Sequence, residues 1–328
     1  MSVFCSTIIP TIGRSTLSRA VDSILNQTFT ADGLEIIVVN DSGKPLAQAA
    51  HQKSEHVRVI TTNQRERSVA RNTGAAVAKG CYLNFLDDDD WLVPDAMQKF
   101  WGLAQNSSTG WLYGGSQLID RQGKPLVQLH HNLNGNNFVQ VMAGEWIPLQ
   151  ASLINSELFF KIGGFNPLIS GPEDIDLLRR IALHSDIAGT SEIVAYIERG
   201  EEGSSTDYRR HAETSRFARE FILDEKGAFT RMRLSAKSGY WHGRVVRAYL
   251  TSMVWNIHHN RLMTAASRAT LGLAGLITAG RQGLSKEFWR AIAYKYESDT
   301  FARGLKEANR AVGWEHGKKY TLGDSRIK

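Results

Sequence analysis

Residues 82–86, Tyr-Leu-Asn-Phe-Leu, form a short apolar run that breaks off into Asp87-Asp88-Asp89-Asp90 before Trp91-Leu92-Val93-Pro94 resumes it. A run of this length suits a buried strand, and four adjacent carboxylates at its tip repel one another while Trp91 limits their hydration. A solvated acidic turn would satisfy a loose acidic run. Between apolar flanks, a buried charge needs a partner, and a hard divalent ion such as Mg2+ or Mn2+ prefers carboxylate oxygens. Open α/β sheets place their ligands at the C-terminal ends of parallel strands, so this stretch points to a fold and to a site together.

The elements around it follow the same pattern. Residues 3–9 read as a first strand ended by Pro10, and Ser15 is placed to cap a helix whose apolar positions Leu17, Ala20, Val21, Ile24 and Leu25 share one face. Residues 34–39 and 57–60 read as two more strands, the first ending in Asn40-Asp41-Ser42-Gly43. An Ala-rich helix is expected over 68–79, with Gly80 as its C-cap. This β-α-β-α order predicts a doubly wound, Rossmann-like sheet with Thr11, Asp41 and the Asp cluster along one edge.

Further on, the pattern predicts a helix from Pro94 to Ala104, a strand over 111–115 and a hairpin over 117–129 turning at 121–124. A strand over 150–154 and a helix over 155–162 follow, and after Gly163-Gly164-Phe165 a helix with Glu173, Asp174 and Asp176 in its first turn. Acids there suit the helix dipole, so on their own they show nothing. From about residue 207 the chain reads as helical. In residues 244–259, Val246, Tyr249, Leu250, Met253 and Ile257 share a face opposite Arg244, Arg247, Thr251 and His258. That face suits bundle packing, and its basic side suits contact with anionic lipid.

Composition narrows the class. Two cysteines, Cys5 and Cys81, beside predicted strands read as buried thiols and not as a disulfide framework. The longest C-terminal apolar run, residues 269–280, falls short of the roughly 20 residues that span a bilayer. The opening residues do not resemble a signal peptide, so a cytoplasmic protein is expected, peripheral at the inner face of a membrane. The net charge of +6 hides an asymmetry: residues 1–198 balance to −5 and residues 199–328 to +11, with no acid between Glu225 and Glu287. Chemistry in the first half and an anionic surface contacted by the second is the expectation.

Five motifs in order, Ile8-Ile9-Pro10-Thr11, Val38-Val39-Asn40-Asp41, Ala70-Arg71-Asn72-Thr73-Gly74, Leu86-Asp87-Asp88-Asp89-Asp90-Trp91 and Gly163-Gly164-Phe165 followed by Glu173-Asp174-Ile175-Asp176-Leu177, resemble family 2 glycosyltransferases of the GT-A fold. The resemblance covers about residues 1–206. It implies a catalytic domain there, binding a nucleotide-sugar and an acceptor, with a basic helical region over 207–328. It also implies transfer from a nucleotide-diphospho-sugar, usually a UDP-sugar, with inversion at the anomeric carbon and assisted by Mn2+ or Mg2+.

By the same resemblance, Pro10, Thr11 and Arg14 at the first strand's tip should meet the donor, and Asp41 the uracil ring. Arg71 should steady the diphosphate. Asp89 is the expected metal ligand with Asp87 beside it, and Asp87 or Asp88 should reach the ribose hydroxyls. Asp174 matches the general base. Many relatives carry an Arg-x-His-x-x-x-x-Ser stretch beyond the base helix; the region 196–206 keeps Arg199 and Ser204, expected to close over the diphosphate, but has no His until His211. A third protein ligand to the metal is therefore left open.

The expected acceptor is a glycan or a lipid-linked sugar, and nucleic acid is not an expected partner. Two rival readings stand beside this one. One is a sugar nucleotidyltransferase, but residues 10–14 lack a Gly-rich phosphate loop with a Lys. The other is a non-catalytic protein gripping nucleic acid or a membrane surface through its basic half, but no recognition module is present. Adjacent His130 and His131 in an extended segment would point to opposite faces and so could not share an ion.

Overall fold

A computed structural model describes residues 3–293, apart from residues 30–32, 50–52, 63, 170, 200–218 and 220. The expected boundary at 206/207 lies outside the described residues. Four strands of the first half run parallel: β1 (Cys5–Thr11), β2 (Leu34–Asn40), β3 (Val57–Thr61) and β4 (Tyr82–Phe85). They are extended by β5 (Trp91–Leu92), β6 (Trp111–Ile119), β7 (Pro125–Leu129), β8 (Ser152–Asn155) and β9 (Ile187–Glu198) into one mixed sheet, ordered β3-β2-β1-β4-β8-β6-β9-β5 with β7 on β6. The expected α/β class and mixed, doubly wound sheet are observed.

The near-continuous apolar strands are explained by two cores, one on each face. Ile8, Ile37, Val39 and Phe85 pack with the inner faces of α2 (Arg67–Ala76), α5 (Ser156–Lys161) and α6 (Glu173–His184). Ile9, Ile36 and Val38 pack on the other face with α1 (Leu17–Leu25) and α3 (Ala96–Asn106). Alternate residues of one strand thus serve opposite layers.

Pro10 does not end β1. The Ile8 carbonyl accepts the Leu86 N–H at 3.1 Å and the Thr11 carbonyl accepts the Asp41 N–H at 3.0 Å, so even positions of β1 face β4 and odd ones face β2. Pro10 lacks its donor on the side where pairing to β4 has already stopped, at Ile8 opposite Phe85, and the strand continues against β2 to Thr11. Ser15 is not the cap of α1, which starts after Thr16. Helix α2 stops at Ala76, and Gly80 is no cap: its N–H donates to Ser6 Oγ at 2.7 Å, and a Cβ there would lie 2.4 Å from the Ser6 backbone nitrogen.

Strand β9 escaped the sequence pattern because Gly189-Thr190-Ser191-Glu192 interrupts its apolar alternation, and its pairing to β6 is irregular around Gly115. Cys5 is buried as expected, but Cys81 is exposed. Helix α2 lies so close on the sheet that a Cβ at Gly74 would sit 2.5 Å from Ile8 Cγ2 and 2.9 Å from Val39 Cγ2. Gly74→Ala should therefore destabilise by about 1–3 kcal/mol through overpacking, read as a lower urea midpoint with unchanged slope.

Beyond the sheet lie α4 (Phe138–Ala143), α7 (Ala228–Leu234), α8 (Ser238–His258), α9 (Leu262–Thr278) and α10 (Lys286–Ala293). Helix α8 is joined to the sheet domain by Arg244, whose Nε donates to the Ala143 carbonyl at 2.8 Å, and by the Tyr240 hydroxyl, which donates to Glu145. Val246 is buried with Ala279 and Phe288, so packing against neighbouring helices accounts for part of the predicted apolar face, while Ile257 stays exposed. Among the described residues, no helix is long and apolar enough to cross a membrane.

Candidate active site

The site grows from the C-terminal tips of β1, β2 and β4, which parallel pairing brings to one edge. At the tip of β2, Asp41 is 7% exposed, and its Oδ1 has no hydrogen-bond partner. Burial raises its pKa above the ordinary carboxylate value, partly offset by the positive charge of Arg65. Asp41 opens on a cleft of about 610 Å³ lined also by Asn40, Lys44, Thr61, Thr62 and Arg65. A carboxylate in the wall of such a cleft is a candidate acceptor for a ligand N–H.

At the tip of β4 the four acids fan out to different elements. Asp87 accepts from Arg71 at 2.7 Å and from Gln150 Nε2 at 2.9 Å. Asp88 turns back to β1, accepting from the Thr11 hydroxyl at 2.5 Å and from Arg14 at 2.7 Å. Asp89 points outward, with Arg14 at 2.9 Å. Asp90 is buried against β9 and accepts the Glu198 backbone N–H at 2.8 Å. Arg19 anchors the loop from α1: it donates to the Asp89 carbonyl at 2.7 Å and to Glu198 at 2.9 Å, and it lies 3.9 Å over the Trp91 ring.

One oxygen from each of Asp87, Asp89 and Asp90 lies within 4.8 Å of the others, the donor set of a hard divalent cation. Their titration reflects the crowding. Burial would raise Asp87, but Arg71 and Arg67 hold it below the usual range. Burial, then the charges of Asp87 and Asp88 against that of Arg14, push Asp89 up to about 6. Asp90 is raised well above the ordinary value by burial and by Asp89. A cation would relieve this strain, so the residues present fit one.

The third part comes from α6. Arg71, 3% exposed, lies between Asp87 and Glu173, reaching Glu173 at 3.2 Å; Arg67 adds a second cation at 3.3 Å. Next to Glu173, Asp174 is half-buried and accepts the Ile175 N–H at 2.8 Å. Burial and the neighbouring Glu173 charge, offset by Arg71, raise its pKa to about 6, where a general base works near neutrality. Asp176 is instead paired with Arg180 at 2.6 Å inside the helix layer.

The motifs thereby gain a physical reading. In Ala70-Arg71-Asn72-Thr73-Gly74, Arg71 faces the carboxylates, Gly74 lets α2 onto the sheet, and Asn72 exchanges two hydrogen bonds with the Phe165 backbone, at 2.8 and 2.9 Å. That pair ties α2 to the Gly-Gly-Phe turn that leads into α6. Arg199 at the end of β9 lies 5.3 Å over Trp146, Pro10 lies half-buried beside Thr11, and Ser204 and His211 lie outside the described residues. His130 contacts the Ser191 carbonyl while His131 turns inward against Tyr113, opposite faces as extended geometry requires. Sequence reasoning missed Arg19, Arg65, Arg67, Gln150 and Glu198. Each meets the site across a long sequence separation, and no local pattern marks them.

The sequence model of the family described as glycosyl transferase family 2 matches residues 6–168. An uncharacterized glycosyltransferase of Haemophilus influenzae is 27% identical over 180 residues, covering 54% of this chain and 61% of the relative. The poly(ribitol-phosphate) beta-N-acetylglucosaminyltransferase TarP of Staphylococcus aureus is 30% identical over 115 residues, 33% of this chain and 35% of TarP. The match thus spans less than two thirds of either relative. Among solved structures, S. aureus TarS 1–349 in complex with UDP-GlcNAc superposes with a TM-score of 0.59 at 14% identity, over 86% of this chain and 92% of that one. At that identity the likeness is one of fold.

Proposed function

Because the chain belongs to glycosyl transferase family 2, we infer that its carboxylate edge binds a nucleotide-diphospho-sugar, with UDP-sugar as the favoured donor, and transfers the sugar to a hydroxyl of a glycan or lipid-linked acceptor with inversion. The observation that carries this reading is the convergence, on one edge, of the Asp41 cleft, the Asp87–Asp89–Asp90 oxygens and Asp174. The TarS structures with UDP-GlcNAc and with UDP support the choice of donor.

Asp41 accepts the base N–H in the cleft, with Thr11 and Arg14 alongside. Mn2+ or Mg2+ held by Asp89 with Asp87, and with Asp90 in reach, would supply charge neutralisation for the departing diphosphate. Asp174 takes the proton of the acceptor hydroxyl as its oxygen bonds to the anomeric carbon; the bond from that carbon to the diphosphate oxygen breaks, and the nucleoside diphosphate leaves. Arg71 holds Asp87 and Glu173 in place, so that the donor side and the base side keep their spacing.

UDP, GDP, CDP and dTDP, each with and without Mn2+, should separate in a thermal-shift series. UDP with Mn2+ should raise Tm by on the order of 5 °C at a hundredfold excess over Kd, and Asp89→Asn should remove the metal-dependent part. A chain stabilised by no nucleotide under either condition would sink the donor site, and a shift independent of Mn2+ would remove the metal from the reading.

A further inference from the structure

Helix α9 has the composition of a buried helix in an exposed position. Over Leu262–Thr278 its single charged residue is Arg268, yet only Ala265 and Gly272 are buried. Leu262, Leu273 and Leu284 are exposed, Met263 is 87% exposed and Ile277 79%. Its exposed side carries Leu262, Met263, Leu273 and Ile277, and a contiguous exposed apolar face of this kind calls for a cover.

The charge around it indicates what that cover is. Arg261 precedes the helix, Arg281 and Lys286 follow it, and no acid occurs between Glu225 and Glu287. A second copy laid on this face would bring like charges together, whereas an anionic surface would neutralise them. The helix is also too short to span, being 17 residues or about 25 Å, which suits lying in the plane of an interface. Trp289, 57% exposed on α10, is a further large side chain left uncovered in this basic region.

We propose that α9 and the turn after it seat the protein on an anionic lipid bilayer, with Met263, Leu273, Ile277 and Leu284 inserted among the acyl chains and Arg261 and Arg281 at the headgroups. This goes beyond the transfer reaction and stands or falls without it.

The full chain should float with vesicles of phosphatidylglycerol and phosphatidylcholine and at least tenfold less with phosphatidylcholine alone. Leu273→Asp with Ile277→Asp, two exposed positions, should abolish flotation, while Arg281→Glu should weaken it and make it more sensitive to salt. Circular dichroism and an unchanged thermal unfolding midpoint without ligand report that these variants remain folded. A Met263→Trp probe should shift its emission to the blue on anionic vesicles. Flotation unaffected by the double substitution, or no flotation with either vesicle, overturns the proposal. So does light scattering that shows a stable oligomer which the double substitution disperses in the absence of lipid.

Discussion

The Asp174→Asn protein is expected to bind UDP as the unaltered chain does and to transfer sugar about 10²–10⁴-fold more slowly. The amide keeps the shape of the carboxylate and can still accept the Ile175 N–H, so the first turn of α6 has no reason to move. What is lost is the ability to take a proton. The pH dependence gives an independent check. With a pKa raised to about 6 by burial and by Glu173, the base is charged above that pH and protonated below it. The rate at saturating substrate should therefore fall about tenfold per pH unit below the midpoint, and that limb should vanish from the residual activity of the Asn variant. Transfer at the unaltered rate would place the base elsewhere.

Arg71→Met is expected to cost about 3 kcal/mol of stability by urea unfolding, the lower end of what breaking a buried ion pair costs. Both partners bear on this figure. Glu173 is 2% exposed and retains Arg67, while the Asp87 side chain is 30% exposed and retains Gln150, so neither carboxylate is left wholly unsatisfied. Arg71→Lys should fall between, because a compact ammonium lacks the two separated nitrogens by which the guanidinium reaches Asp87 from Nη2 and Glu173 from Nη1. The Met variant should also bind UDP and Mn2+ more weakly than its stability alone explains, since Asp87 loses its orientation. A loss below about 0.5 kcal/mol, the range of ordinary surface substitutions, would mean that Arg71 does not carry this joint.

The parallel half of the fold was legible because its strands are buried on both faces and read as unbroken apolar runs. The site at its edge was legible for a related reason: polar residues at strand tips stand out against such runs, as Asp41 and the Asp cluster do. Pro10 misled because its effect depends on which neighbour its missing donor faces, a matter of register that local sequence does not carry. Strand β9 was missed because much of its surface is half-exposed and its alternation is broken by Gly189 to Glu192, leaving only the partnership with β6 to define it. Arg19 was illegible for the plainest reason: it lies on a helix among ordinary polar residues, and its partners are 70 and 179 residues away.

The separation of the four acids has a consequence for how much of the chain the cluster depends on. Asp88 waits on Thr11, 77 positions earlier; Asp90 waits on Glu198, 108 positions later; and Arg71, which holds Asp87, is also held by Glu173, 102 positions beyond it. Closing loops of such length costs chain entropy that the surrounding packing has to offset. A chain cut after residue 168 would retain every acid of the cluster but lack α6 and β9, and Asp90 would have no Glu198 amide to meet. The aspartates are contiguous in sequence, yet the geometry that makes them useful is set by partners spread from Thr11 to Glu198.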